Sequence, residues 1–187
     1  MTPAEIDLIL KDQYSPHVQS IESGLWQIET DRYRLLVLLS EDLSWLRVLI
    51  PIAPADAAAP FLEQLLEANF DLTQETRYAL SQGVLWGVYH HHRESLKPED
   101  LRAAMKRLLL IHEQGLSSSF NQFVESRIRL IIQAAKQQGQ SLEETLQQLN
   151  HFYEEGLMGE MEGGQAKEEV LASWRYQLER LWPTVNP

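Results

Sequence analysis

The sequence predicts an α+β fold, with a mostly antiparallel sheet in its first part and helices alone in its second. Three observations carry that expectation. Runs of strand length, rich in Leu, Val, Ile and aromatics, fill residues 25–52 and 77–92. Apolar stripes at helical spacing flank and interrupt them. From Ser117 to the last residue the strand signal is gone and helical spacing takes over.

Thr2, Pro3 and Glu5 form a helix start, with a capping residue, a first-turn proline and the acid of a capping box. That helix ends near Tyr14, ahead of Pro16. Leu25–Thr30, Tyr33–Ser40 and Trp45–Ile52 then read as three strands. In the second, Leu35, Val37 and Leu39 face one way while Leu36 and Leu38 face the other. In the third, Leu46, Val48, Ile50 and Ile52 oppose Trp45 and Leu49. Strands apolar on both faces belong at the centre of a sheet that is covered on both sides. Pro51, Pro54 and Pro60 break the pattern, and a helix resumes over Phe61–Phe70. Phe61, Leu62, Leu65 and Leu66 make its stripe, opposite Glu63, Gln64 and Glu67. Arg77–Ser81 and Val84–His92 pair around Gln82-Gly83, a dipeptide suited to a tight hairpin turn. Pro98 opens a helix to about Gly115 carrying Leu101, Met105, Leu108 and His112. The order is α-βββ-α-ββ-α.

Three further helices follow. Residues 118–138 place Phe120, Phe123, Val124, Ile128, Ile131 and Ile132 at helical spacing, and Ser141 with Glu144 caps a second helix. Gly156, Gly159, Gly163 and Gly164 make a joint before the last, at about 165–182. The expected division is a domain at 1–116 and a helical extension at 117–187.

Composition narrows the chemistry. The 187 residues hold no cysteine, which removes disulfides, thiolate metal sites and cysteine nucleophiles. The net charge of -11 argues against a nucleic-acid partner, whose affinity comes from cations displacing counterions. Acid dominates the first part, with 14 acidic and 6 basic residues in 1–95 against 13 and 10 in 96–187. The N-terminus is acidic where a leader would be basic, and no apolar run is long enough for a membrane span, so a cytoplasmic address is expected.

The element order, with Leu-Leu-Glu-Ala-Asn-Phe at 65–70 followed by Tyr-Ala-Leu-Ser-Gln-Gly-Val-Leu-Trp-Gly-Val-Tyr at 78–89, resembles the type III secretion chaperone/YbjN-like family. The strand-to-helix passage Leu96-Lys97-Pro98-Glu99-Asp100-Leu101 fits the same pattern, which covers about residues 2–115. The resemblance implies a small acidic α+β module, usually a homodimer, that binds other polypeptides and has no catalytic site.

The chemical candidates are few. His90 and His92 share a strand face with Glu94, but the outermost of three such residues stand ~13 Å apart at ~3.3 Å per residue. A metal there needs a further ligand such as His17 or His112; the expectation is a polar strand end with no metal and no cofactor. His112 reads as a core histidine bonded to a carbonyl. Glu154, Glu155, Glu160 and Glu162 lack the ligand spacing of a calcium loop. Trp26, Trp45 and Trp86 are expected mainly in the core, with a protein-binding surface as the other use of such residues.

The reading is a non-enzymatic protein-interaction module of chaperone-like or regulatory type, a homodimer that binds another polypeptide through apolar surface. Phe61, Leu62, Leu65 and Leu66 are the expected protein-interaction residues. The alternative is a metal-dependent or small-ligand enzyme using His90 and His92.

Overall fold

A computed structural model of the chain describes the backbone at residues 1–154 and 164–187 and the side chains at 1–151 and 172–187. The joint expected at 156–164 lies almost wholly outside the described residues. So do the side chains of Glu154, Glu155, Glu160 and Glu162. The chain divides into two compact units, 1–120 and 121–187.

The first unit is built on a six-stranded antiparallel sheet: β1 (Val18–Glu22), β2 (Leu25–Glu29), β3 (Arg34–Leu39), β4 (Trp45–Pro54), β5 (Thr76–Ser81) and β6 (Val84–His92). Their spatial order is β1-β2-β3-β4-β6-β5. The fold class is therefore α+β, as the pattern predicts, with one strand more than expected. That strand, β1, is almost entirely exposed. It pairs with β2 through a bulge between Ser20 and Glu22. An edge strand held by backbone pairing rather than burial shows no apolar alternation, so the sequence does not signal it.

Helix α1 (Pro3–Tyr14) opens with the expected capping box: Thr2 Oγ1 accepts from the Glu5 amide at 3.3 Å, and Glu5 accepts from the Thr2 amide at 2.6 Å. It buries Ile6, Ile9 and Leu10 on the sheet. Asp7 of this helix accepts the indole N–H of buried Trp26 at 2.9 Å, which satisfies the one polar atom of that ring. A second long helix on the same face, Pro98–Gln114, buries Leu101, Ala104, Met105, Leu108 and Ile111. Together they close a core over Ile28, Leu35, Val37, Leu46, Val48, Ile50 and Tyr89. Gly87 is required there: a Cβ would stand 3.0 Å from Ile50 Cγ2 and 3.2 Å from Leu108 Cδ2.

Two expectations about the prolines and the following helix need correction. β4 does not stop at Ile52 but runs to Pro54. Pairing with β3 ends at Leu49, so Pro51 falls where only β6 remains beside the strand, and the register shifts between Pro51 and Ala53. A missing N–H is tolerated at such a place. The chain then turns through a four-residue helix, α2 (Ala55–Ala58), and a 3-10 turn at Ala59–Phe61 before α3 (Leu62–Ala68). With α2 and α3 named, the Pro98–Gln114 helix is α4. The expected single helix over 61–70 is thus shorter. Its underside joins Ala58, Leu65 and Leu85 in a small satellite core with Phe61, Tyr78 and Leu116.

The β5–β6 hairpin turns at Gln82 (φ 50°) and Gly83 (φ 75°), both in the left-handed region that a tight two-residue hairpin requires. Among the described residues no helix is long and apolar enough to cross a membrane.

The second unit holds most of α5 (Ser117–Gln137), with α6 (Leu142–Glu154) and α7 (Gly164–Leu181). Ile128 and Ile132, Leu146 and Leu149, and Leu178 and Leu181 form its core, flanked by Val124, Trp174 and Trp182. Glu125 accepts from Arg129 at 2.9 Å and from Arg180 at 2.7 Å, and Lys136 donates to the carbonyls of Trp182 and Val185 at 2.8 Å each.

Candidate functional site

All the helices of the first unit that pack on the sheet cover one face. The register assembles the other face from alternate residues. One row crosses Leu25, Leu38, Arg47 and His90; the next crosses Gln27, Leu36, Leu49, Val88 and Arg77; a third pairs Trp86 with Ala79. Leu25, Leu36, Leu38, Leu49 and Trp86 are half-buried, whereas their strand neighbours Leu35, Val37, Leu46 and Val48 have no exposure at all. Shallow depressions of about 420 and about 350 Å³ run along this face, and Arg47 and His90 line both.

The three sheet tryptophans separate accordingly. Trp26 is in the core as expected. Trp45 is not: it lies on the outer face, 51% exposed, tilted against His92 with ring centroids 5.1 Å apart. Trp86 is half-buried on the same face, and its indole donates to the Ser81 carbonyl at 3.1 Å.

The histidine run also differs from a strand end trailing into solvent. β6 stays paired with β4 through His92. His91 turns to the helix side and stacks on Tyr89, while His90 and His92 face outward. His90 is opposite Arg47 and its Nδ1 takes a hydrogen bond from Arg77. A guanidinium only donates, so Nδ1 is the acceptor and the ring proton of a neutral His90 is on Nε2. That Nε2 is buried and has no hydrogen-bond partner. Burial first, then the charges of Arg77 and Arg47, hold the His90 pKa below the ordinary histidine value. Two guanidinium groups beside the ring make this a poor place for a metal cation, and no group of three or more metal-binding side chains is found among the described residues. His112 does reach carbonyls: Nδ1 is 2.8 Å from the Pro51 oxygen and Nε2 is 3.2 Å from the Arg32 oxygen, so α4 is tied to the sheet.

A second surface lies at the β5 edge. The structure splits the expected stripe of α3. Leu65 is buried, and Phe61 is half-buried with its ring edge-on to Phe120 at 6.0 Å, whereas Leu62 and Leu66 point outward, 37% and 69% exposed. Gln64, expected on the polar side, is buried, and its Oε1 has no partner. The short helix thus turns two of its three leucines outward and one amide inward. Phe70, Leu72 and Leu80 are also exposed, and a groove of about 260 Å³ runs between α3 and β5, lined by Leu62, Leu65, Leu66, Tyr78 and Leu80. Beside it, the Asn69 side chain pairs twice with the β5 backbone, accepting from the Tyr78 amide at 2.7 Å and donating to its carbonyl at 3.1 Å.

Sequence reasoning missed Arg47 and Arg77 as partners of His90. Arg47 interrupts the outward row of β4, between Trp45 and Leu49, and that alternation is the one signal that marks it. The pairing with His90 depends on register across β6, which no single strand reveals.

No family model matches the sequence, and no curated protein matches it. Solved structures do resemble the chain. One is the type III secretion chaperone SycH of Yersinia pestis in complex with a stable fragment of YscM2, at 11% identity and a TM-score of 0.48 over 60% of this chain and 98% of that one. Another is the heterodimeric ExoU–SpcU complex from the type III secretion system of Pseudomonas aeruginosa, at 17% identity and 0.48 over 60% and 95%. A third is the HopA1–SchA chaperone–effector complex, at 15% identity and 0.47 over 58% and 88%.

Proposed function

We propose that the chain is a non-enzymatic, cytoplasmic protein-interaction module of chaperone-like type, which dimerises through α3 and binds another polypeptide. Of the two names in the resemblance, this reading keeps the secretion-chaperone one and drops the YbjN-like one, which neither the geometry nor the structural likenesses support. Residues 1–116 are the interaction module and 117–187 the helical extension.

The observation that carries the dimer is the outward turn of Leu62 and Leu66 on α3. Leucines turned to water over a buried, unsatisfied amide are costly unless a partner covers them. The occupant that fits is a second copy. A two-fold contact is self-complementary, so the ridge of Leu62 and Leu66 in one protomer can fill the groove between α3 and β5 in the other. Phe61 and Leu65 support the ridge from below. Because Asn69 already occupies the β5 backbone at Tyr78, the contact works through side-chain packing on α3 rather than by extending the sheet.

Sedimentation at micromolar concentration tests this reading. The expected mass is roughly twice the 21.6 kDa of one chain, falling to one chain for Leu66→Glu with the circular dichroism spectrum unchanged. A wild-type monomer under these conditions overturns it.

A further inference from the structure

We propose that the outer face of the sheet is a receptor for a carboxylate side chain, presented by an extended acidic segment of a partner polypeptide to Arg47 and Arg77, with His90 holding the Arg77 fork in place. The proposal rests on the polypeptide-binding reading above, but on a different surface from the dimer contact.

The cations are placed where their own chain does not neutralise them. In a protein of net charge -11, neither Arg47 nor Arg77 has a carboxylate partner among the described residues. Glu29, an acid on the same face, is already paired with Arg34 at the far end of the neighbouring strands. Arg77 spends one N–H on the His90 Nδ1, which leaves the rest of its fork and all of Arg47's available. The ring of His90 fixes the Arg77 fork but does not itself reach a ligand, because its Nε2 is buried. Both guanidinium groups line one depression, and among the described residues no carboxylate answers them. An anionic oxygen supplies what is missing, and a planar carboxylate suits guanidinium forks best.

The surroundings select the carrier of that anion. Leu36, Leu38, Leu49 and Val88 stand in the same two rows as the cations, and Trp86 closes one end. An occupant must bury apolar side chains on either side of its charge. A nucleic-acid strand offers no such pattern and is repelled by the acidic protein as a whole. An extended peptide with alternating apolar residues and one glutamate or aspartate does offer it.

The test uses two capped synthetic peptides of about eight residues, enough at ~3.3 Å per residue to cross four strands ~4.8 Å apart with a residue or two to spare at each end. Both alternate valine and threonine; one carries a central glutamate and its twin a glutamine. Binding to the full chain is read by calorimetry at low salt. The glutamate peptide is expected to bind at least ~10-fold more tightly than its twin, as charge-assisted bonds to guanidinium do. The variant R47Q/R77Q should abolish that preference while leaving the affinity of the glutamine peptide and the circular dichroism spectrum unchanged. Equal binding of the two peptides overturns the carboxylate site and leaves the polypeptide-binding reading standing. Binding of neither overturns both for this face. A preference that survives R47Q/R77Q places the anion elsewhere, and tighter Arg-dependent binding of oligothymidylate than of the glutamate peptide makes the occupant nucleic acid; either result overturns the proposal.

Discussion

The two faces of the sheet are built from the same strands and nearly the same residue types, yet they have different fates. On β3, Leu35 and Val37 are sealed beneath helices while Leu36 and Leu38, their immediate neighbours, stay half-exposed. On β4, Leu46, Val48 and Ile50 contrast in the same way with Trp45 and Leu49. Hydrophobicity does not distinguish the faces; polar insertions do. The inner face carries none at its centre, whereas the outer one carries Arg47, Arg77 and His90. A face meant for permanent burial excludes charge because burying it is costly, and a face that meets a partner keeps charge for orientation and choice.

The contrast can be broken by substitution, beginning with the largest expected effect. Leu108→Ala empties the inner core and should cost about 2–5 kcal/mol in urea unfolding, the usual range for a fully buried leucine. Gly87→Ala pushes a methyl group against Ile50 and Leu108 and should cost about 1–3 kcal/mol by overpacking. The double variant should cost less than the two single losses together, since removing Leu108 frees part of the space the methyl needs. On the outer face Trp45→Ala should cost less than ~1 kcal/mol, despite removing the larger side chain. A loss there as large as that of Leu108→Ala would mean that the outer face is sealed in solution and would erase the distinction.

The smallest effect sharpens the electrostatic side of the comparison. NMR titration should find the His90 midpoint below the ordinary histidine value, and Arg77→Gln should raise it. A base whose folded pKa is lowered favours the folded state while neutral. Its contribution is therefore fully present above the unfolded pKa and is lost as pH falls toward the folded one. Melting points of the wild type and Arg77→Gln should accordingly draw together, relative to their difference at pH 7, as the pH drops through that window.

Much of the first unit was legible because apolar parity is strong where a helix covers one face. The pairs Leu35/Val37 and Leu46/Val48 declared both strand and inward side, and Thr2 with Glu5 declared the start of α1. Other features rest on relations that no local pattern carries. β1 is polar and held by its neighbour's backbone. Pro51 suggests a break that only the early end of β3 makes unnecessary. The α3 stripe turned Phe61 and Leu65 inward as its spacing predicts but not Leu62 and Leu66, because a helix of two turns can take Gln64 inward without disturbing its period. His90 reads from sequence as part of a polar strand end, with metal chemistry only as the alternative, and only cross-strand register shows that its neighbours are guanidinium groups.

The amide of Asn69 has a consequence for how the module survives at high concentration. A sheet whose last strand leaves its peptide groups open is a template on which further copies can stack into fibres. Asn69 stands in for a seventh strand at Tyr78, and the Thr76 amide is taken by the Thr73 carbonyl at 3.0 Å, so the β5 edge beside the exposed leucines is already occupied at these two residues. By this device a chain can carry exposed leucines beside a strand without also offering the backbone of that strand at Thr76 and Tyr78 to a neighbour.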